Sequence, residues 1–262
     1  MAFNIVRAES DFPGERSRLC RHRDVVQVLK GNKGTQKIKG ISLDTSELSR
    51  QIHLKSDAFA MMDGLRFLNF YHYDAFAMMD GSSKEKILHL PPTGLEYLPN
   101  ELRYLRWDGF PSKSLPPSFR AEHLVKLDLW GSKLVKLWTG VKDVGNLRKI
   151  DLTQSYYLTE LPDLSMAKIL VCLQLENCPS LTEVPSSLQY LDKLEEINLL
   201  GCKNLRSFPM LYSKVLRKLA ISPCLDLTTC PTISQNMESL ELRKFQSKKF
   251  HNQLLASCNV FI

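Results

Sequence analysis

The chain has 262 residues, 44% of them apolar and 24% charged, which is the balance of a folded, soluble protein. No apolar run approaches the ~18 residues that a membrane-spanning helix needs, and Met1 to Arg7 has neither the apolar core nor the small-residue cleavage site of a signal peptide. The net charge of +7 is unevenly placed: residues 1–40 carry nine Lys/Arg against four Asp/Glu, residues 241–262 carry four against one, and the stretch between carries 22 against 23. A neutral body with two basic ends argues against nucleic acid as the partner, and for solvated tails or contacts to a neighbouring domain, because a phosphate-binding surface needs clustered cations.

In chain order, the first element expected is a short helix. Asp24 precedes Val25, Val26, Val28 and Leu29, and the run ends at Gly31, which predicts a capped helix in a unit separate from the rest of the chain. Gly31-Asn32-Lys33-Gly34 superficially resembles a phosphate loop or an RNA-clamping G-x-x-G turn. A phosphate loop opens a helix with Gly-Lys-Ser/Thr, however, and this segment closes one, so a helix C-cap and turn is the better reading.

Next comes a duplication. Asp57-Ala58-Phe59-Ala60-Met61-Met62-Asp63-Gly64 recurs identically as Asp74 to Gly81. Only the first copy leads into an apolar strand pattern, so the second is expected as a local insertion accommodated in a loop, with the methionines as core filler.

From there leucine dominates, at 43 of 262 residues. The pattern L-x-x-L-x-L, with Ile, Met, Phe or Trp sometimes replacing Leu, begins at Ile38, Leu65, Leu102, Leu124, Leu147, Leu170, Leu194, Leu216 and Met237. Successive starts are 27, 37, 22, 23, 23, 24, 22 and 21 residues apart. The last six intervals lie in the leucine-rich repeat range of about 20 to 29 residues. Each unit supplies one short strand whose second and third apolar residues share a face. Three residues beyond the third comes a small or polar residue, at Ser132, Ser155, Cys178, Cys202 and Cys224, where the chain turns inward; buried packing is the expectation for the cysteines. Units close on Leu161-Pro162, Val184-Pro185, Phe208-Pro209 and Cys230-Pro231. So short a unit leaves little room for a returning helix. The expected fold is a leucine-rich repeat solenoid of about eight or nine turns: a curved parallel sheet on the concave face, an irregular and 3₁₀ convex side, and a short helical N-terminal segment.

Seven cysteines include no Cys-x-x-Cys pair to start a zinc site or redox motif, so reduced thiols in a cytosolic or nuclear compartment fit best.

Some residues carry a more specific likeness. Ile5 to Ser10, Pro13 to Leu19, Asp24 to Leu29 and Gly34-Thr35 to Gly40-Ile41, followed by Leu124 to Leu127, Ser132 to Gly140 and Leu161 to Ser165, resemble the junction and early repeats of plant intracellular immune receptors of the TIR type. These are the TIR-NBS-LRR disease resistance proteins. The likeness covers roughly residues 4 to 245, with departures at Cys20-Arg21, Ile169 and the doubled octapeptide. It implies three segments: 1–36 as the C-terminal tail of the nucleotide-binding region, 37–245 as the repeats with the insertion near 57–81, and 246–262 as a basic tail.

Receptors of this family carry a TIR domain, which in several members consumes NAD, and a nucleotide-binding switch with a Gly-Lys-Ser/Thr loop. Neither is in this sequence, so the chain is expected to be a fragment or truncated form, with no cofactor of its own and with ADP or ATP held by the nucleotide-binding domain. The resemblance further implies a noncatalytic module that senses a pathogen effector directly or through a guarded host protein, that restrains the nucleotide-binding domain of its own receptor, and that works in the cytoplasm or nucleus.

The outward strand positions name the binding candidates: Phe67, Asn69 and Tyr71; Tyr104, Arg106 and Asp108; Lys126, Asp128 and Trp130; Lys149, Asp151 and Thr153; Cys172, Gln174 and Glu176; Glu196, Asn198 and Leu200. Aromatics interleaved with cations at the early repeats have the composition of interface hot spots. The alternative is that some aromatics fold over the edge and complete the core, Phe67 above all, because the duplication blurs its register. The partner-binding set expected on the concave face is Tyr71, Tyr104, Arg106, Lys126, Asp128, Trp130, Lys149, Asp151 and Glu176, with Trp138 read as convex-side core.

Two rivals belong to other classes. A hydrolase needs a nucleophile, base and orienter in one pocket, whereas the six histidines are scattered and no Gly-x-Ser-x-Gly elbow occurs. An extracellular repeat receptor would carry a signal peptide, capping cysteine pairs and glycosylation sequons, and the sequence has none of these.

Overall fold

The structure, a computed structural model, describes residues 2–73, 88–209, 211, 214–221 and 238–242. The second octapeptide copy (Asp74 to Gly81), Cys224, Cys230-Pro231, Met237, His251 and the basic tail at 246–262 lie outside the described residues.

Every expected L-x-x-L-x-L start is followed, two residues later, by the first residue of a strand. The strands are β1 (Arg18–Leu19), β2 (Gly40–Asp44), β3 (Ile52–His53), β4 (Phe67–Tyr71), β5 (Leu88–His89), β6 (Tyr104–Trp107), β7 (Lys126–Asp128), β8 (Lys149–Asp151), β9 (Cys172–Gln174), β10 (Glu196–Leu199), β11 (Lys218–Ile221) and β12 (Ser239–Leu242). All except β3 and β5 form one sheet in chain order, β1-β2-β4-β6-β7-β8-β9-β10-β11-β12, and each pairing is parallel. Sequential parallel order is what stacking one strand per turn produces, since each turn meets only its neighbours. No described helix is long and apolar enough to cross a membrane.

The apolar triplets form the core. Leu124, Leu127 and Leu129 are fully buried, as are Leu147, Ile150 and Leu152, and Leu170, Leu173 and Leu175. Alternation sends one face of each strand inward and leaves the other open.

Past the third apolar residue the chain turns with one left-handed residue per unit, at Gly109, Gly131, Gln154, Asn177 and Gly201, with φ between 56° and 79°. The amide of that residue donates to the next turn, as from Gly131 to Thr153 O at 2.8 Å and from Gln154 to Glu176 O at 2.7 Å. Directly after it, Ser132, Ser155, Cys178 and Cys202 are buried. Cys178 Sγ donates to Leu152 O at 3.2 Å and Cys202 Sγ to Leu175 O at 3.1 Å, while the Ser132 and Ser155 hydroxyls meet at 2.7 Å. These two cysteines are therefore buried packing residues that also tie each turn to the one before.

Across the return side, Leu161, Val184 and Phe208 close the core, and Trp138 is buried there too. Among the described residues beyond Gly31 there is no α-helix, only 3₁₀ turns at Thr45–Glu47 and Ser186–Tyr190.

The helix expected after Asp24 is α2 (His22–Gly31), preceded by α1 (Ala2–Ala8). Its C-cap is Asn32, left-handed at φ 50°, with the Lys33 amide donating to Val28 O at 3.0 Å. Instead of standing as a separate unit, this segment is continuous with the array. β1 pairs with β2, and Val25, Val28 and Leu29 lie in the same core as the leucines. Arg16, itself buried, locks the junction by donating to Asp24 at 2.6 Å and to Ser10 O at 2.8 Å. The sequence read α2 as independent because its apolar face shows periodicity but not partner.

At the long interval, β4 pairs directly with β6, Phe67 opposite Tyr104, so the ladder runs on without an intervening strand. β3 and β5 pair with each other in a two-stranded sheet of their own. In the first octapeptide copy, Phe59 packs edge-on to Trp107 at 6.1 Å and Met62 is fully buried. Met61 is 69% exposed, so it is not the core filler expected of it. It sits in a turn rather than a strand, where adjacent residues take unrelated directions.

Candidate functional site

Strand alternation and parallel register together align the outward side chains into two lanes, successive rungs lying ~4.8 Å apart. One lane runs Arg18, Gly40, Phe67, Tyr104, Lys126, Lys149, Cys172, Glu196 and Lys218. The next runs Ser42, Asn69, Arg106, Asp128, Asp151, Gln174 and Asn198. Tyr71, Asp108, Trp130, Thr153, Glu176 and Leu200 lie two positions further along their own chains, where the strands give way to turns.

Contacts run along the lanes. Phe67 and Tyr104 stack at 4.6 Å with their planes 17° apart, and Lys126 Nζ lies 5.1 Å from the Tyr104 ring centre. Phe67 follows Gly40 on one side and Lys126 follows Tyr104 on the other, so both faces of Tyr104 are occupied and one face of Phe67 is left. Arg106 lies over the Tyr71 ring at 5.8 Å and forks onto Asp108 with two bonds of 2.8 Å. Those hydrogen bonds, first among several causes, push the Arg106 pKa up, so its charge is permanent.

Lys126 reaches Asp128 at 3.2 Å and Lys149 reaches Asp151 at 3.6 Å. Asp128 is buried, and burial first, then the neighbouring Asp151 charge, raises its pKa despite Lys126. On Lys126 burial opposes the charge, and Asp128 and Tyr104 outweigh it, so its pKa rises. Further on the face is polar and internally bonded: Gln174 donates to Glu196 at 2.8 Å, and Asn198 to Glu176 at 3.2 Å.

The structure thus brings Tyr104, Arg106, Lys126, Asp128, Lys149 and Asp151 into one patch, with Tyr71 joined through Arg106. Trp130 and Glu176 are half-buried at the turn side of the same face. Asp128 and Asp108 are covered rather than presented, because their lysine and arginine partners lie over them. Leu200 is buried and belongs to the core. Phe67, named among the outward positions with the core as its alternative, is 40% exposed and in register with Tyr104, so it extends the strip instead of folding over the edge. The L-x-x-L-x-L frame from Leu65 fixes that register despite the duplication.

For chemistry of other kinds, the described residues contain no group of three or more His, Cys, Asp and Glu placed to hold a metal. His53 and His89 stack on each other at 5.1 Å on β3 and β5, away from the main sheet. Burial raises the pKa of Cys172, so its thiol stays protonated beside Glu196.

A family model described as Leucine Rich Repeat matches residues 123–142, which is the turn containing β7. Three Arabidopsis thaliana disease resistance proteins align over most of the chain. RPS6 is 41% identical across 78% of this chain, RPP2A 37% across 91%, and RML1B 40% across 73%. The chain carries leucine-rich repeats like those of plant disease resistance proteins. That agrees with the repeat region of a TIR-NBS-LRR protein, the resemblance read from the sequence. The chain spans about a fifth of the length of these relatives, 20% of RPS6 and 18% of each of the other two. Among solved structures, the leucine-rich repeat domain of the type III effector XopL aligns with a TM-score of 0.48 at 19% identity, covering 79% of this chain and 76% of that one.

Proposed function

We propose that this repeat array is the noncatalytic protein-binding module of a plant intracellular immune receptor, acting in the cytoplasm or nucleus. Its partners in this reading are a pathogen effector, or a host protein that the effector alters, and the nucleotide-binding domain of the same receptor, which it restrains. ADP or ATP then belongs to that domain, and this chain needs no cofactor.

The observation that carries the reading is the continuous in-register face on which Phe67, Tyr104, Arg106 and Lys126 are partly exposed, with Trp130 half-buried at its turn side. Aromatic and arginine side chains are enriched among the few residues that dominate binding energy at interfaces, seated in well-packed, desolvated positions. Exposed ion pairs contribute only ~0.2 to 1 kcal/mol. Aromatic burial therefore supplies the affinity and the lysines the association rate.

The test is binding of a separately expressed nucleotide-binding domain, and of candidate effectors, to the wild-type chain and to Tyr104→Ala/Trp130→Ala. Hot-spot truncation costs about 2 kcal/mol, roughly a thirtyfold loss of affinity. Equal binding by both proteins overturns the assignment of the face, and loss through high salt alone transfers the affinity to the basic N-terminal end.

A further inference from the structure

Along the first lane, Gly40 is the rung without a side chain. It lies between Arg18 on β1 and Phe67 on β4, so the lane opens into a notch of about 580 Å³. Gly40, Ile41, Arg18 and Phe67 are among the residues that line it. Lys39 and Arg66, one residue before Gly40 and Phe67, stand on its rim. Arg103 continues that row: the Arg66 amide donates to Lys39 O at 2.9 Å and the Arg103 amide to Arg66 O at 2.8 Å.

Lys39, Arg66 and Arg103 are all exposed; Lys39 Nζ donates to Gln36 O at 3.1 Å, and among the described residues no carboxylate lies within ion-pair distance of any of the three or of Arg18. Glu9, whose pKa Arg18 helps to lower, is already held by the Ser17 hydroxyl at 2.7 Å. The other lysines of the face differ, since Lys126 and Lys149 have aspartates of their own. The N-terminal rungs therefore hold a row of cationic residues without carboxylate partners, on chain segments about 5 Å apart, beside one vacant aromatic face.

We propose that this notch is the docking site for an acidic peptide segment of a partner protein. The segment crosses the strands with carboxylates on Lys39, Arg66 and Arg103, and seats an aromatic or branched apolar anchor over Gly40 against Phe67. This rests on the protein-binding reading above and specifies the chemistry of the partner at that face. Charge complementarity selects an anionic ligand. The stacking selects a peptide over a single-stranded nucleic acid: a base-binding platform offers successive free ring faces, whereas Tyr104 is capped by Phe67 and Lys126, leaving room for one anchor.

Gly40 also supplies the clean variant. A Cβ at Gly40 would meet Phe67 Cβ at 3.7 Å and the Arg18 stem at 4.0 Å, which is ordinary contact, and its φ is not in the left-handed region. Gly40→Leu therefore fills the notch without straining the strand. The experiment titrates the full chain into a fluorescein-labelled peptide Asp-Glu-Asp-Phe-Asp-Glu-Asp and follows anisotropy. Comparison probes are the same peptide with alanine for phenylalanine, a lysine counterpart, and an oligothymidylate of equal charge. Thermal melts confirm that each variant is folded.

The expected result is salt-sensitive binding of the acidic peptide, weakened at least tenfold by Gly40→Leu, by the loss of its phenylalanine, and by Lys39→Glu/Arg66→Glu. Unchanged binding by Gly40→Leu, or equal binding of the alanine peptide, overturns the anchor site. Tighter binding of the oligothymidylate overturns the peptide assignment. If a protein partner is lost on Tyr104→Ala/Trp130→Ala yet still binds Gly40→Leu, the binding-module reading stands and the notch alone fails.

Discussion

Leu173 and Gln174 are neighbours on β9 that point to opposite faces, and they give the sharpest test of the register. Leu173 is fully buried and aligned between Ile150 and Ile197, each fixed on its own strand. Leu→Ala at a buried site costs about 2.7 to 5 kcal/mol, rising with the cavity that remains. Branched neighbours held on both sides collapse poorly into that space, so about 3 to 4 kcal/mol is expected. Gln174→Ala forfeits its hydrogen bond to Glu196 and a weak one to the Cys172 sulfur, about 0.5 to 1.5 kcal/mol together. Leu173→Asp adds an unpaired buried charge and several kcal/mol more.

Because turns stack only on their neighbours, damage in mid-array weakens the coupling between its two ends. The three tryptophans, Trp107, Trp130 and Trp138, all lie N-terminal to β9, so their fluorescence reports that half while circular dichroism reports the whole chain. Guanidinium melts followed by both signals should coincide for Gln174→Ala. For Leu173→Asp the circular dichroism should fall first. A Leu173→Ala midpoint no lower than that of Gln174→Ala would refute the assignment of faces.

The left-handed turn position predicts opposite effects at two of its members. Gly131→Ala meets nothing within 4 Å and should still lose about 1 kcal/mol through backbone strain, whereas Gln154→Gly should gain about 0.5 to 1 kcal/mol. Urea midpoints moving the same way for both would contradict it. In the native chain, alkylation at pH 8 with peptide mapping should label exposed Cys20 well before Cys178 and Cys202, which are buried and bonded to carbonyls. Asp128 binds its proton more tightly folded than unfolded, so charging it as pH rises costs folded-state stability. Asp128→Asn should therefore gain on the wild type between pH 3 and pH 7 in urea melts, and the reverse trend would show that Lys126 outweighs burial.

How far the sequence reaches depends on whether a feature is periodic. From Leu102 onward the strands, the buried triplets and the Ser/Cys positions recur every 21 to 24 residues, and a solenoid converts recurrence directly into spatial adjacency, so lane membership of Tyr104, Arg106, Lys126 and Lys149 was legible in the sequence alone. Features that depend on one turn only were not. Nothing in the spacing shows that α2 packs into the repeat core, because its apolar face would fit any cover. The burial of Asp128 escaped as well, since a polar residue at an outward position becomes covered only through the side chains beside it, here Lys126 and, among the charges that act on it, Arg106.

The notch shows the same limit from the other side. Gly40 carries no side chain and so adds nothing to a search for binding residues, yet in register between Arg18 and Phe67 it is what leaves a ring face open. A repeat array makes its scaffold from the residues that recur and its specificity from the rungs that break the pattern. In this chain the break falls beside the rungs of Lys39, Arg66 and Arg103, which have no carboxylate partner among the described residues, so a partner recognised there is read by a gap in the lane as much as by the side chains around it.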